Sequence, residues 1–215
     1  MIRVLAFIRR LPGVSRDAFR HHYEEIHVPT ALPTLGGIVG YVRHHVREEI
    51  HGAAGFDCMT RFDYRDGAAV REAFARIEGP QGDAIRRDEL TFMDKPANVF
   101  FAVEELPAWE AAPPLEERVR LLVCVRRPAA EETFRFRARF QKDRLPALRA
   151  AVEGARWCRP QWALPGVAQG VGFDAVTQIG AEGTCGLAGW ARALEAEGAF
   201  VIAVRVSVHE TPMPG

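Results

Sequence analysis

The side chains able to do chemistry are unevenly spread along this 215-residue chain. Six of its seven histidines (His21, His22, His27, His44, His45 and His51) fall early, and only His209 lies in the second half. Histidine titrates near neutral pH, which suits it to moving protons. His27 is the leading candidate for a general acid or base. With Phe19, Tyr23 and Ile26 it falls at i, i+4, i+7 and i+8, one apolar helix face, near the end where the helix dipole favours a protonated ring. A hydrogen-bonded core histidine is the competing reading. Asp57 begins a strand and needs a partner if buried; it either orients the His27 ring or bonds loop amides. Tyr41, with Arg43 or His44, would steady a developing oxyanion, and Tyr23 shares the helix face. Arg43 is equally at home in solvent.

Other chemistries find less support. His21-His22 and His44-His45 are adjacent pairs, and neighbours on a helix or strand point apart. Cys58, Cys124, Cys158 and Cys185 are scattered with no Cys-x-x-Cys pair, so four free thiols and no metal site are expected. Dinucleotide, phosphate-loop and Ser-His-Asp signatures are missing. Lys+Arg and Asp+Glu are both 28, a balance that argues against nucleic acid, whose phosphates need a basic excess. The apolar stretch at the N-terminus is too short and too charged for a signal peptide or membrane span. The expectation is a cytoplasmic protein with reduced cysteines.

The elements that must position these residues come in two copies. At a constant offset of 117, Arg3 meets Arg120, Arg9-Arg10 meet Arg126-Arg127, Phe19 meets Phe136 and Pro29 meets Pro146. The register still holds where Phe56, Asp57 and Thr60 meet Phe173, Asp174 and Thr177, which marks an internal repeat. Each copy reads strand, helix, strand, strand, helix, strand. Arg3 to Ile8 is a strand buried on both faces, Ser15 a helix N-cap, and Pro29 with Pro33 the end of regular helix. Tyr41 to Arg47 and Phe56 to Tyr64 alternate as strands. Val70, Phe74 and Ile77 mark the core face of a second helix, and a short charged helical turn follows.

This is an α+β plan of two ferredoxin-like βαββαβ units in tandem. The first spans 1–105, a Pro-rich linker 106–117, and a degenerate unit 118–215. Two sheets are expected to face each other across a pseudo-twofold axis, each covering the other's open face. One chain then suffices for the barrel, with a further homodimer left open.

The first copy resembles the EthD family of dimeric α+β barrel proteins. The resemblance rests on Arg9-Arg10, Pro12-Gly13-Val14-Ser15, Phe19, His27-Val28-Pro29, Tyr41 to Val46, Phe56-Asp57, and then Asp88, Phe92 and Asp94. In the second copy Arg144, Cys158 and Gln161 replace His27, Tyr41 and His44, while Asp174 retains Asp57. The resemblance implies the barrel fold and admits several chemistries, because fold does not fix function. Two readings follow. One is a cofactor-independent lyase or isomerase, dehydratase-like, moving a proton on a small apolar or aromatic carbonyl compound. The other is a non-catalytic protein that carries such a molecule. Haem binding is a third.

Overall fold

The structure is a computed structural model that describes residues 1–107, 119–169 and 172–213. Most of the expected linker, 108–117, lies outside the described residues. In the first half β1 (Ile2–Ile8) leads to α1 (Arg16–His22), a π-helical turn (Tyr23–His27) and α2 (Val28–Ala31). Then come β2 (Ile38–His51), β3 (Cys58–Tyr64), α3 (Gly67–Glu78), α4 (Asp83–Phe92) and β4 (Val99–Glu105). The second half repeats the order with β5 (Val119–Arg126), α5 (Thr133–Arg139), a π-helical turn (Phe140–Arg144) and α6 (Leu145–Ala151). It ends with β6 (Trp157–Gln169), β7 (Ala175–Ala181), α7 (Leu187–Glu195) and β8 (Phe200–Thr211).

The strands form one closed antiparallel barrel in the order β1-β3-β2-β8-β5-β7-β6-β4. The two sheets therefore do more than face each other: they join edge to edge. β2 pairs with β8 from Tyr41↔Thr211 to His51↔Ala203, and β4 pairs with β6. Each four-stranded sheet alone would leave two rows of unpaired backbone groups, and closure removes every edge.

Strand alternation sorts the side chains into three cores. Leu5, Phe7, Met59, Phe101, Leu122, Cys124 and Phe173 fill the barrel lumen. There Phe7 meets Phe56 edge-on at 4.9 Å and Phe173 at 5.1 Å. The alternate residues of β1 (Val4, Ala6, Ile8) face outward beneath the first half's helices. Their repeat mates Leu121, Val123 and Val125 lie beneath those of the second half. This explains why Arg3 to Ile8 shows so little alternation: both faces of the strand are covered.

Four local expectations are corrected. Ile26 is 47% exposed while Phe19, Tyr23 and His27 are buried. The π turn holds more residues per turn than an α-helix, so Ile26 rotates outward as His27 stays in. Pro29 does not end the helix; it sits near the start of α2, where the preceding π turn leaves no demand for its missing N–H. In α3 the buried stripe is Ala69 and Ala73, and Phe74 is 42% exposed. Small residues let α3 seat on the sheet, and Phe74 and Ile77 border a cavity instead of plugging it. The short charged turn is the ten-residue helix α4. Among the described residues no helix is long and apolar enough to cross a membrane.

Candidate active site

That cavity, of roughly 310 Å³, lies between the first half's outer sheet face and α3, α4 and the π turn. Its walls include Val4, Phe62, Tyr64, Phe74 and Phe100 beside the polar Tyr23, His27 and Tyr41, and the charged Glu78, Arg86, Glu89 and Lys95 also line it. Apolar walls with converging polar groups are the common form of a small-molecule site. Tyr41 stacks on Phe62 (5.1 Å, 20° between planes) and Phe62 on Tyr64 (6.2 Å, 24°). These near-parallel rings come from β2 and β3 and give the cavity one flat aromatic wall.

The Ser15 hydroxyl accepts from the Ala18 amide (3.1 Å) and starts α1, which runs unbroken into the π turn. His27 at the end of that turn donates from Nδ1 to Asp88 Oδ2 at 2.8 Å. His22 donates from Nε2 to the other oxygen, Oδ1, at 2.7 Å. A carboxylate can only accept, so Asp88 fixes the His27 tautomer with its hydrogen on Nδ1 and a lone pair on Nε2. Among the described residues no hydrogen bond engages that Nε2. Burial holds the His27 pKa below the ordinary histidine value, and the bond to Asp88 offsets this only in part. The ring is therefore neutral at pH 7, with a lone pair available on a cavity wall.

The tyrosines are donors, not bases. Burial raises the pKa of both Tyr23 and Tyr41, so both stay protonated. The Tyr23 hydroxyl is committed to Thr60 Oγ1 at 2.9 Å, and Thr60 lies 3.6 Å from Cys58 Sγ. The Cys58 thiol is pushed up to about 12 by burial and is no nucleophile.

Of the residues singled out in the sequence, His27, Tyr23 and Tyr41 share this cavity, and Asp57, Arg43 and His44 do not reach it. Asp57 does not hold the His27 ring. It accepts from the Arg10 amide (3.0 Å), Arg10 Nε (3.0 Å) and Arg16 Nε (3.1 Å), tying the loop after β1 to α1. Asp174 accepts the Arg127 amide (2.8 Å) in the same way. The carboxylate kept in both halves is thus the structural one. Arg43 turns away behind Tyr41, its guanidinium 4.6 Å from that ring, and bonds Glu24, the Tyr41 carbonyl and Thr211. Burial alone would raise the Glu24 pKa, but hydrogen bonds from His45 (2.6 Å) and Arg43 hold it at about 2. His44 points into the barrel lumen, between the Met59 carbonyl (3.2 Å) and Gln178 Oε1 (3.0 Å). Its burial lowers the pKa to about 3.

The residue that the histidine reasoning missed is Asp88. It lies 61 positions from His27, on a helix whose spacing carries no sign of the contact. Its only signal was membership of the family pattern.

Residues 11–96 match the EthD domain. Over those residues the first half of this chain is similar to the EthD domain. The match spans α1 to α4, every helix that borders the cavity, and includes both His27 and Asp88. No curated protein sequence matches the chain. Among solved structures, the chain is similar to an anthrone oxidase-like protein at 11% identity and a TM-score of 0.55, covering 97% of this chain and 92% of that one. A candidate chlorite dismutase aligns at 11% identity and a TM-score of 0.50, covering 96% and 95%. A candidate monooxygenase from Lactobacillus acidophilus aligns at 12% and 0.46, covering 99% of each chain. At such identities the first two likenesses speak for the fold, the dimeric α+β barrel. Among the described residues no group of three or more His, Cys, Asp or Glu side chains could hold a metal ion.

Proposed function

We propose that the EthD-like half is a cofactor-independent enzyme, a lyase or isomerase that moves a proton on a small aromatic carbonyl compound. The observation that carries this reading is the His27–Asp88 pair, which presents a neutral ring with an uncommitted nitrogen on the wall of the cavity. His27 Nε2 takes a proton from the carbon next to the carbonyl. The electron pair moves onto the carbonyl oxygen, and the Tyr41 hydroxyl steadies the resulting oxyanion by donating to it. The imidazolium, held by Asp88, then returns its proton. Delivered to another carbon it completes an isomerisation; delivered to a β-hydroxyl it releases water. The flat wall of Tyr41, Phe62 and Tyr64 favours a planar aromatic substrate.

The test is deuterium incorporation at C1 of 2-tetralone, a bicyclic aromatic ketone, in D2O, followed by NMR. The wild-type protein should accelerate exchange, and His27→Gln should remove about 10²–10⁴-fold of that acceleration. Its melting temperature should stay nearly unchanged, since Gln can still donate to Asp88. The acid limb of the rate should fall below the ordinary histidine value of about 6.5, because the neutral ring is the active form and burial lowers its pKa. A ketone that binds but exchanges no faster than in buffer would instead support the carrier reading.

A further inference from the structure

Two histidines of the first half meet on one carboxylate. His27 donates to Asp88 Oδ2 at 2.8 Å and His22 to Oδ1 at 2.7 Å. They stand five residues apart in the chain, and on a regular α-helix such residues point about 140° away from each other. The π turn from Tyr23 to His27 takes up that angle, because its wider coil brings residues five apart onto one face. α4 completes the arrangement from the other side. Asp88 and Phe92 share one face of that helix, and the Phe92 ring packs on both histidines, 4.3 Å from His22 and 5.3 Å from His27.

The second half shows that this geometry belongs to the turn. The repeat mates of His22 and His27 are Arg139 and Arg144, again joined by a π turn, and both reach the one carboxylate of Glu197. Two permanent cations make that bridge a clamp and nothing more. In the first half the bridge joins a partly exposed ring, His22, to a buried one on the cavity wall, His27. What His22 does to Asp88 is therefore passed to His27.

We propose that His22 is a positioning residue for the proton transfer: by holding Oδ1 it turns Oδ2 of Asp88 to His27 Nδ1, and it draws off part of the carboxylate's charge. The inference rests on the reading of His27 as the base. Without the His22 N–H, Asp88 keeps its full charge but loses its direction. Charge favours the His27 imidazolium at any angle, so the His27 pKa rises. Direction fixes the tautomer and the aim of Nε2, so the rate falls. His22 already acts to lower the His27 pKa, against Asp88 and Glu89, which raise it; Glu89 is itself paired with Lys95. Glu78 of α3 and Arg86 of α4 line the same cavity, and the sheet beneath contributes only uncharged side chains to it.

The test compares His22→Phe, which keeps an aromatic ring on Phe92 but has no N–H, with His22→Gln, whose amide replaces the lost donor. NMR titration of the His27 ring in His22→Phe should show its pKa raised by about one unit, the worth of one hydrogen bond. The acid limb of tetralone exchange should move up with it, and kcat should fall about tenfold with KM little changed. His22→Gln should return both toward wild type. If His22→Phe fails to fold, His22→Leu makes the same comparison. An unchanged His27 pKa in His22→Phe overturns the proposal, as does a His22→Gln protein that behaves like His22→Phe. A wild-type protein that exchanges no ketone defeats the reading of His27 as the base instead, and the ring titration still decides whether His22 acts on His27.

Discussion

The same place in the two halves of the barrel is a cavity on one side and, among the described residues, a packed cluster on the other. Across the offset of 117, Tyr23 becomes Phe140, His27 becomes Arg144, Tyr41 becomes Cys158 and His45 becomes Trp162. Trp162 swings its indole over the sheet, 5.8 Å from Phe136 and 6.2 Å from Phe140, and is 2% exposed. α7 then lays Leu187, Trp190, Ala191 and Leu194 directly on the same cluster. Arg144 turns its guanidinium out to Glu197, and its carbonyl accepts from Trp190 Nε1 at 3.1 Å. The first half inserts α4 where the second has only α7, and with α4 comes Asp88. Both halves keep the π turn, so the turn is part of the frame. The chemistry of the first half comes from what was placed on that frame and from the volume left unfilled.

If the second half gave up its cavity for stability, emptying it should be expensive. Trp162→Ala should cost about 3–5 kcal/mol, as large aromatic deletions in packed cores do. Urea unfolding measures the loss, and tetralone exchange by the folded fraction should not change. A cost under about 1 kcal/mol would mean that the second half is as loosely filled as the first.

Protons separate the halves as well. His44 and Gln161 are repeat mates in the lumen, but only His44 titrates, and burial brings it to about 3. A histidine with a depressed folded pKa stabilises nothing by its charge. Below the ordinary value of about 6.5 the unfolded chain takes up a proton that the folded chain refuses, so stability falls as pH drops from there toward 3. The loss reaches on the order of 5 kcal/mol at the acid end. His44→Gln, which copies the second half, should flatten that part of the stability curve. Glu24, held at about 2, adds a separate loss at lower pH that the variant should leave in place.

Two aspartates divide the same way. Asp88→Asn should slow tetralone exchange by about 10²-fold or more, because an amide can offer its own N–H to Nδ1 and turn the ring to the wrong tautomer. Asp57→Asn should leave exchange unchanged and lower stability by about 1–3 kcal/mol, because it weakens an acceptor buried against Arg10 and Arg16. Equal effects of both variants on exchange would break the assignment of Asp88 to the ring.

These pairs also show what the sequence could and could not reveal. The repeat, the strand order of each half and the helix face of Phe19, Tyr23 and His27 are local patterns, readable because period and register are properties of neighbouring residues. Closure into a barrel came only with the resemblance, and its seams, β2–β8 and β4–β6, were not readable: pairing partners depend on which edges meet in space. Ile26 misled because a π turn obeys a different period from the one assumed. Phe74 misled because an apolar residue beside a cavity has the same sequence signature as one in a core, whereas Val70 and Ile77 do pack against the core. Asp57 attracted attention by being kept in both copies, whereas the ring's partner sits on α4, which has no repeat mate to point to it.

The smallest expected effect lies at the helix starts. Ser15 and Glu132 are repeat mates with nearly the same extended backbone, φ −72°, ψ 156° and φ −66°, ψ 137°. Ser15 accepts from the Ala18 amide and caps α1; Glu132 makes no such bond to α5. The backbone at 132 is therefore already set for a cap, and only the side chain is wrong. Glu132→Ser should gain about 0.5–1 kcal/mol, and Ser15→Ala should lose a similar amount. The two effects should add, because the caps belong to separate helices with no shared partner. The first-half variant should also reduce exchange slightly, since α1 runs without interruption into the turn that carries His27. Exchange should be indifferent to Glu132→Ser. A change in exchange from Glu132→Ser would show that the filled half still communicates with the open one.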